Sequence, residues 1–467
     1  MSEQNTRAPA GPVVVVGAGP VGLAAAAHLA ERGMDFVVLE AGSGVAAAID
    51  EWRHVKLFSP WRYDIDSAAR RLLEQAGWVE PELGKLPTGG DLIDSYLAPL
   101  AKTPQLNDRI RYGAQVAAVT RVGFDRIRTN GREQAPFLVR MTDGTEILAS
   151  AVIDAAGTWR KPNVLGGSGI PARGEAELDG HVTRALPDVL GRDRERFAGR
   201  RTAVVGAGHS AATTLLELGE LAEQVPGTEI VWVVRGTDQA RTYGGGEADE
   251  LPARGALGSR LKQLVQSGRV ELVSSFRIES AGLKNGQAEL VAGERRVTAD
   301  TVVNSTGFRP DHDMVAELRL DLDPILGSTR ALAALIDPNQ HSCGTVPPHG
   351  VDELAHPEPG YYAVGAKSYG RAPTFLLATG YEQARSVVAA LAGDWAAARD
   401  VQLDLPETGV CSSNLAYGDS SDQTTGGCCG PAPQAIQVST GRGLATGISG
   451  GLLTVIDKPT TQSSCCG

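Results

Sequence analysis

The stretch VVVVGAGPVGLAAAAHLAERGMDFVVLE, residues 13–40, decides the fold of this chain. Its leading valines, Val13–Val16, form an uninterrupted β-branched run, which is typical of a parallel strand buried on both faces. Three glycines follow with the spacing G-x-G-x-x-G: Gly17 permits a tight turn, Gly19 lets the backbone approach a pyrophosphate, and Gly22 lets the next helix pack closely. The order of strand, glycine loop and helix predicts a dinucleotide-binding unit.

The residues after the glycines complete this first unit. A helix predicted over Val21–Arg32, directly after Pro20, points its N-terminal N–H groups and the positive end of its dipole at the phosphates. A second strand, Phe36–Leu39, ends in Glu40. A carboxylate at this place accepts hydrogen bonds from the hydroxyls of an unphosphorylated ribose.

Composition limits the kinds of partner. The chain has 467 residues, a net charge of −11, and 55 acidic against 44 basic residues, so a nucleic-acid-binding surface is not indicated. No apolar run reaches the roughly 18 residues of a spanning helix, and the polar N-terminus predicts no signal peptide. We therefore expect a cytoplasmic protein that acts on a small molecule, with neither nucleic acid nor membrane as partner; a homodimer stays open.

A second unit of the same kind begins at residue 201. The strand Arg201–Val205 runs into GAGHSA, which places Gly206, Gly208 and Ala211 in the G-x-G-x-x-A variant of the motif. The helix is expected to begin near Ser210. The chain therefore carries two predicted nucleotide sites.

The second site differs from the first in the residue that ends its second strand. Glu229–Val234 is followed by Arg235 rather than by an acid. A guanidinium pairs with a ribose 2′-phosphate, which a carboxylate would repel, so we predict NADPH rather than NADH, with Arg241 assisting. We interpret His209, at the helix N-terminus, as a local contact and not as a catalytic base.

Other segments fit around these two units. The aromatic stretch Glu51–Asp66 lies over a flat ring in one interpretation and is a packed surface loop in the other. Strands that end in small residues and Gly157 or Gly307 allow close approach to a nucleotide, and a helix beginning near Gly380 stabilises negative charge on a reduced flavin. The remaining predicted strands include Ala114–Val119, Phe137–Met141, Glu146–Asp154, Ala288–Val291, Arg296–Asn304 and Tyr361–Gly365; the remaining predicted helices are Ser67–Gly77, Gly90–Ala101 and Leu261–Ser267.

The cysteines are confined to the last third of the chain. None precedes Cys343, and five of the six lie beyond residue 410. Clustered thiols in a cytosolic chain indicate metal, metalloid or redox chemistry rather than a disulfide framework. The candidate redox-active or metalloid-binding thiols are Cys428, Cys429, Cys465 and Cys466.

Together, the two fingerprints and the strand endings resemble the two-dinucleotide-binding-domain flavoproteins over residues 13 to about 395. The resemblance implies FAD in the first site and NADPH in the second. It also implies that Trp52 lies beside the flavin and Val116 beside the adenine. The residues assigned to the two cofactors are Gly17, Gly19, Pro20, Gly22, Glu40, Trp52, Ser59, Trp61, Val116, Gly157, Gly206, Gly208, His209, Ser210, Ala211, Arg235, Arg241, Gly307 and Gly380.

Two branches of that superfamily compete. Disulfide reductases carry a cysteine pair beside the flavin, and the dinucleotide units here hold no such pair. The motifs FSPW (58–61) and GTW (157–159) are similar to flavin-containing monooxygenases, in which reduced flavin and O₂ oxidise sulfur, nitrogen, selenium or trivalent arsenic. The linker departs from the monooxygenase pattern, because Gly174 and His181 are present at a different spacing.

The tail adds a further resemblance. Cys428-Cys429-Gly430 and Cys465-Cys466-Gly467 resemble the vicinal pair that ends mercuric reductase, and the chain is similar, more loosely, to flavoproteins of bacterial arsenic-resistance operons. Vicinal thiolates are soft ligands that favour thiophilic ions. The other interpretation is a tail in which the cysteines have no role.

The sequence therefore predicts an α/β protein with two Rossmann-like, glutathione-reductase-type domains, the second inserted into the first. We expect the FAD domain at 1–159 and 326–398, the NADPH domain at 160–325, and a Gly/Cys-rich segment at 399–467. The first functional hypothesis is a monooxygenase-like enzyme that oxidises a sulfur or arsenic compound. The alternatives are a reductase using the tail thiols on a metal, metalloid or disulfide, and a metalloid-binding protein with a structural flavin.

Overall fold

The structure, a computed structural model, describes residues 11–244, 251–338, 346–347, 349–373 and 375–403. These residues belong to one compact unit, residues 1–415. Two five-stranded parallel sheets organise it, as the predicted α/β class requires. The predicted Gly/Cys-rich segment falls almost entirely outside the described residues.

The first sheet is built around the four valines. Strand β1 (Val13–Val16) is at most 6% exposed and lies between β2 (Phe36–Leu39) and β7 (Ala151–Asp154). Strands β3 (Ile110–Arg111) and β16 (Tyr361–Ala363) complete it in the parallel order β16-β7-β1-β2-β3. Because β16 follows the second unit in sequence, the second unit is an insertion within the first.

The second sheet repeats the plan. The remaining strands are β4 (Val116–Arg121), β5 (Phe137–Met141), β6 (Glu146–Ala149), β8 (Val182–Arg184), β9 (Arg201–Val205), β10 (Glu229–Val233), β11 (Glu271–Val273), β12 (Ser280–Lys284), β13 (Gln287–Ala292), β14 (Arg295–Ala299) and β15 (Thr301–Asn304). The order in the second sheet is β11-β10-β9-β15-β8, with all pairs parallel and β9 in the centre. Each half of the chain also carries a three-stranded antiparallel meander, β4-β5-β6 in the first half and β12-β13-β14 in the second.

Helices cover the sheets, and the first helix is almost fully buried. Among the described residues no helix is both long enough and apolar enough to cross a membrane. The α-helices are α1 (Pro20–Glu31), α2 (Ala47–Asp50), α3 (Ser67–Gln75), α4 (Gly89–Leu92), α5 (Ala98–Ala101), α6 (Arg194–Phe197), α7 (His209–Gln224), α8 (Ala240–Tyr243), α9 (Pro252–Gln266), α10 (Arg330–Ile336), α11 (Val351–Leu354), α12 (Leu377–Leu391) and α13 (Trp395–Arg399), and a π-helix, Ile93–Leu97, joins α4 to α5.

Most predicted elements are confirmed, and the differences have local causes. The strand predicted over Glu146–Asp154 is two strands, because Ser150 N–H bonds to Pro12 O where the chain leaves the meander for the parallel sheet. The same change of sheet splits the segment Arg296–Asn304. The predicted helix Leu261–Ser267 begins earlier, at Pro252, because proline is well tolerated in the first turn.

A buried ionic cluster fixes the first meander to the chain just before β16. Glu358 accepts from Arg121 Nε at 2.8 Å and from Arg132 Nη2 at 2.8 Å, and these three side chains are at most 2% exposed. The Arg121 guanidinium also stacks on Phe137, 3.6 Å from the ring centroid. Removing one member of such a cluster leaves the other charges buried and unpaired.

Candidate functional site

The first glycine loop leaves space where a phosphate would lie. Gly17 has φ +98°, and a Cβ there would lie 2.8 Å from Ala155 O. A Cβ on Gly22 would lie 1.9 Å from Gly17 O, so the start of α1 tolerates no side chain at that position. A Cβ on Gly19 would meet nothing within 4 Å. The loop is closed by protein on two sides and open at the glycine predicted to face the pyrophosphate.

Glu40 is fixed at the end of β2. Its side chain is 8% exposed, and its two carboxylate oxygens accept from Ala18 N–H at 2.8 Å and Gly42 N–H at 2.7 Å. Each oxygen keeps a further lone pair. The carboxylate is therefore oriented next to the glycine loop with acceptor capacity for ribose hydroxyls. Val116, assigned to the adenine, is half-buried at the start of β4.

The second glycine loop has the same arrangement. Gly206 has φ +137°, and a Cβ on it would lie 2.1 Å from Ser305 O, whereas a Cβ on Gly208 would meet nothing within 4 Å. Ala211, in the first turn of α7, is fully buried. Trp232 Nε1 donates to Gly206 O at 2.7 Å and fixes the turn from below. Both loops thus have the shape that a dinucleotide phosphate requires.

Arg235 lies at the place predicted for a 2′-phosphate contact. It follows β10 after the buried Val234, is exposed, and within the described ranges forms no hydrogen bond or ion pair. Thr242 of α8 donates to Ala207 O at 2.9 Å, which places α8 over the second glycine loop. Arg241 is in α8, but its side chain lies outside the described part of the structure.

The aromatic stretch of residues 51–66 consists of turns and a short 3₁₀ helix, Trp61–Tyr63. Ser59 and Trp61 are buried, and Trp61 N–H donates to Lys85 O at 3.0 Å. Trp52 covers Gly89, where a Cβ would lie 3.0 Å from the indole ring. This stretch is packed against the first half of the chain, as both sequence interpretations allow.

Aromatic contacts join this stretch to the second half. Phe58 packs against His209, the first residue of α7, with ring centroids 5.2 Å apart. Trp159 lies 6.3 Å from Trp52 and 4.8 Å from Phe308, centroid to centroid. The two nucleotide units therefore meet through rings, and His209 makes a packing contact there. We call Trp52, Trp159 and Phe308 the aromatic cluster.

Two chain crossovers run side by side beneath the aromatic cluster. Asn163 N–H donates to Gly307 O at 2.8 Å, and Arg309 N–H donates to Lys161 O at 2.9 Å. Gly157 and Gly307 have φ +66° and +96°, a left-handed conformation that favours glycine.

A polar side chain turns the chain at each crossover. Asp154 Oδ1 accepts from Ala156 N–H, and Asn304 Oδ1 accepts from Thr306 N–H, both at 3.2 Å. Sequence reasoning missed this pair, although each residue precedes its crossover glycine by three positions. Aligning the two strand ends would have revealed it.

The start of α12 lies beside the start of α1. A Cβ on Gly380 would lie 2.6 Å from Val21 Cγ2, and one on Gly365 would lie 3.2 Å from the same atom. The first turns of α12 and α1 therefore lie in contact within the first half. The role of the α12 N-terminus beside a flavin stays a prediction.

The cysteines predicted to bind a metalloid or to carry electrons are not among the residues that the structure describes. All six cysteines, including Cys428, Cys429, Cys465 and Cys466, lie outside the described residues. In the described part of the chain no group of three or more His, Cys, Asp or Glu side chains is arranged to hold a metal ion. Gly174 and His181 have structural contacts: a Cβ on Gly174 would lie 2.2 Å from Ala281 O, and His181 Nδ1 lies 3.1 Å from Asp300 O.

Two Rossmann-like units with matching phosphate loops define a flavin-dependent, nicotinamide-dependent oxidoreductase. The chain belongs to the pyridine nucleotide-disulphide oxidoreductase family, whose model matches residues 14–325. The predicted fold class, enzymatic character and use of FAD with NAD(P)H are confirmed by this membership and by the relatives below.

Among curated proteins, the chain is similar to a ferredoxin–NADP reductase of Rhodospirillum rubrum, with 26% identity over 382 residues, 80% of this chain and 88% of that protein. It is also similar to the indole-3-pyruvate monooxygenase YUCCA8 of Oryza sativa subsp. indica, with 30% identity over 225 residues, 44% of this chain and 45% of that protein. Relatives of both kinds, reductase and monooxygenase, therefore match.

Solved structures divide in the same way. A bacillithiol disulfide reductase of Bacillus cereus superposes with a TM-score of 0.60 at 16% identity and covers 82% of this chain and 99% of that one. A flavin-containing monooxygenase of Stenotrophomonas maltophilia superposes with a TM-score of 0.54 at 23% identity, with the same coverage. At these identities the similarity establishes the fold.

Proposed function

We propose that this chain is an FAD-dependent NADPH oxidoreductase of the monooxygenase kind, which uses O₂ to oxidise a soft nucleophile of the sulfur or trivalent-arsenic class. The carrying observation is that no cysteine precedes Cys343, so neither glycine loop, the aromatic stretch nor either crossover can supply a redox disulfide. Electrons that enter the first unit must therefore leave to O₂, to a substrate, or to thiols brought from the C-terminal tail, and we propose the first of these.

The residues proposed to bind FAD lie in the first unit, and those proposed to bind NADPH lie in the second. Glu40 would accept from the ribose of FAD, and the open face of Gly19 would take its pyrophosphate. Gly208 and the exposed Arg235 would play the matching roles for NADPH, because a guanidinium pairs with a 2′-phosphate. When bound, the flavin supplies hydride acceptance and oxygen activation, while the protein supplies orientation and electrostatics.

The contact between the two halves supports oxygen chemistry. The aromatic cluster and the Phe58–His209 contact close the two units onto each other, with Trp159 Nε1 donating to Glu51 at 2.9 Å. These rings are half-buried and His209 is exposed, so bound nucleotides would have to cover this boundary before water is excluded from it. Such exclusion would protect a reactive oxygen species from unproductive breakdown.

The substrate class rests on the tail sequence. Two Cys-Cys-Gly copies in one segment offer soft thiolates that would bind trivalent arsenic or exchange with a thiol substrate. We place the reaction in the cytoplasm, with a small molecule as partner and without nucleic acid or membrane. A homodimer is compatible with this proposal.

Two reductase functions compete with it. The match to a ferredoxin–NADP reductase over 80% of the chain favours electron transfer to a protein acceptor, for which no cysteine is needed either. The vicinal thiols of the tail favour a reductase in which Cys465 and Cys466 receive electrons from the flavin and pass them to a metal, metalloid or disulfide.

One experiment separates the three functions. Purified flavoprotein is mixed with NADPH in air or under argon, with arsenite, a thioether, ferredoxin or a disulfide as acceptor. The proposal expects O₂-dependent NADPH oxidation with arsenite or thioether that survives the double substitution Cys465→Ser, Cys466→Ser. NADPH oxidation with ferredoxin that is as fast under argon as in air contradicts the proposal. Loss of all NADPH oxidation in the double variant favours the thiol reductase.

A further inference from the structure

A buried carboxyl lies behind the aromatic stretch. Asp64 is fully buried, and its Oδ1 accepts from Ser59 Oγ at 2.8 Å. Its Oδ2 has no hydrogen-bond partner among the described residues, and no lysine or arginine there forms an ion pair with it. Burial raises the pKa of Asp64 to about 7, against the opposing effect of the Ser59 hydrogen bond. A buried carboxyl without a counter-charge is costly in its ionised form.

Asp64 also connects the aromatic stretch to α12. Its backbone oxygen accepts from Tyr381 Oη at 2.8 Å. Tyr381 directly follows Gly380, whose neighbour across the gap is Val21 of α1. The turn from Ser59 to Asp64 is thus held against the first turn of α12, which itself contacts the first turn of α1, the helix that follows the glycine loop assigned to FAD.

The other titratable groups around Asp64 come from α12, the π-helix, α3 and α1. Tyr381 from α12 and Tyr96 from the π-helix are fully buried, and burial raises the pKa of both well above 10. Asp66 caps α3 by accepting from Ala69 N–H at 2.9 Å, and its other oxygen pairs with His28 of α1 at 3.1 Å. The tyrosines stay neutral near pH 7, and Asp66 and His28 contact each other rather than the Asp64 carboxyl.

We propose that Asp64 is a positioning residue of the flavin site: as a neutral acid its side chain accepts from Ser59 and closes the turn of residues 59–64, which Tyr381 holds against α12, and its ionisation is coupled to the redox state of the flavin. The proposal rests on FAD as cofactor and not on which acceptor takes the electrons. The coupling follows from charge, because an ionised carboxylate in a low-dielectric interior disfavours a second negative charge nearby.

The coupling predicts an additional proton on reduction. With Asp64 already neutral, a two-electron reduction to the anionic reduced flavin takes up one proton. With Asp64 ionised beside the oxidised flavin, the same reduction takes up two protons, because the new negative charge raises the pKa of the carboxyl and returns it to the acid form. The plot of flavin midpoint potential against pH therefore steepens above a break near the pKa of Asp64.

The test is a spectroelectrochemical titration of the FAD-loaded protein under argon, without NADPH or substrate, over about two pH units on either side of neutrality. Wild type is expected to break near pH 7. Asp64→Asn, which keeps the shape and cannot ionise, is expected to lose the break. Ser59→Ala removes the hydrogen bond that lowers the pKa and is expected to move the break to higher pH.

Each outcome has one meaning. A wild type without a break, or a break that persists in Asp64→Asn, overturns the proposal. If Asp64→Asn does not retain FAD, the Ser59→Ala shift decides, and an unmoved break there also overturns it. Because neither O₂ nor an acceptor is present, failure of this coupling is distinct from failure of the proposed monooxygenase function.

Discussion

The glycine loops yield a prediction that separates folding from cofactor binding. A methyl group at Gly22 would lie 1.9 Å from Gly17 O, a backbone atom that cannot move aside, whereas one at Gly19 would meet nothing within 4 Å. Gly19 has φ −78° and ψ −176°, which alanine adopts without strain. Gly22→Ala should therefore destabilise the protein itself, and Gly19→Ala should damage only the site of the pyrophosphate.

The sizes of the two effects follow from this geometry. Overpacking typically costs about 1–3 kcal/mol, so Gly22→Ala should lower the free energy of unfolding by at least that amount. Gly19→Ala should leave apoprotein stability within about 0.5 kcal/mol of wild type. If the overlap of its methyl group with the bound phosphate costs a similar free energy, about 1–3 kcal/mol, FAD affinity should fall roughly 5- to 150-fold.

Urea unfolding of the apoproteins and fluorescence titration with FAD measure the two quantities separately. Gly208→Ala is the matched control: its site is also open, and it lies in the other loop, so it should leave FAD affinity unchanged and raise the KM for NADPH. A Gly19→Ala protein that binds FAD as tightly as wild type would refute the assignment of the first loop.

Three further predictions concern other residues. Arg235→Gln should raise the KM for NADPH about 10- to 150-fold and change that for NADH little, because it removes a charge-assisted contact of about 1.5–3 kcal/mol; the exposed Lys262→Gln is the control, and an equal change for both nucleotides would count against the assignment. The pKa of Asp64 is raised to about 7 in the folded protein, so the stability that its neutral form contributes is present below about pH 4 and is lost as the pH rises to 7. The unfolding free energy of Asp64→Asn relative to wild type, measured by chemical denaturation, should therefore grow by roughly 4 kcal/mol over that range and then level off. A difference that does not depend on pH would contradict the burial of an uncompensated acid. Glu358→Gln should cost roughly 3–5 kcal/mol of unfolding free energy because Arg121 and Arg132 stay buried, whereas Glu271→Gln, in an exposed pair with Arg201, should cost less than about 1 kcal/mol; equal losses would show that the buried cluster has no special weight.

Much of the fold could be predicted because its signals are local. The run Val13–Val16 and the glycines after it specify a strand, a turn and a helix within one short stretch, and Gly206 with Gly208 repeats the pattern. The order of these elements along the chain then implies which unit is inserted into which. The bounds of the meander strands were less predictable, because a strand that changes sheets keeps its β propensity through the change.

The parts of the site that could not be predicted depend on tertiary placement. Phe58 and His209 lie far apart in sequence, and their contact exists only because the two units are docked. Asp64 lies in the segment RYDID, where a polar residue indicates a surface loop; its burial depends on Tyr381 and α12, which enter from the far end of the chain. The cysteines of the tail stay a sequence prediction.

The proposed reaction passes electrons from NADPH through the flavin to O₂, and the activated oxygen oxidises a soft substrate. The most direct measurement is mass spectrometry of a thioether product formed with NADPH under ¹⁸O₂, with O₂ uptake and NADPH oxidation recorded together. We predict a sulfoxide with one labelled oxygen and one O₂ consumed per NADPH, because substrate, O₂, NADPH and a proton yield oxidised substrate, NADP⁺ and water. Two results together would contradict this reaction. The sulfoxide is unlabelled or absent and arsenite is also left unoxidised, and NADPH is consumed as fast under argon as in air when ferredoxin or a disulfide is the acceptor.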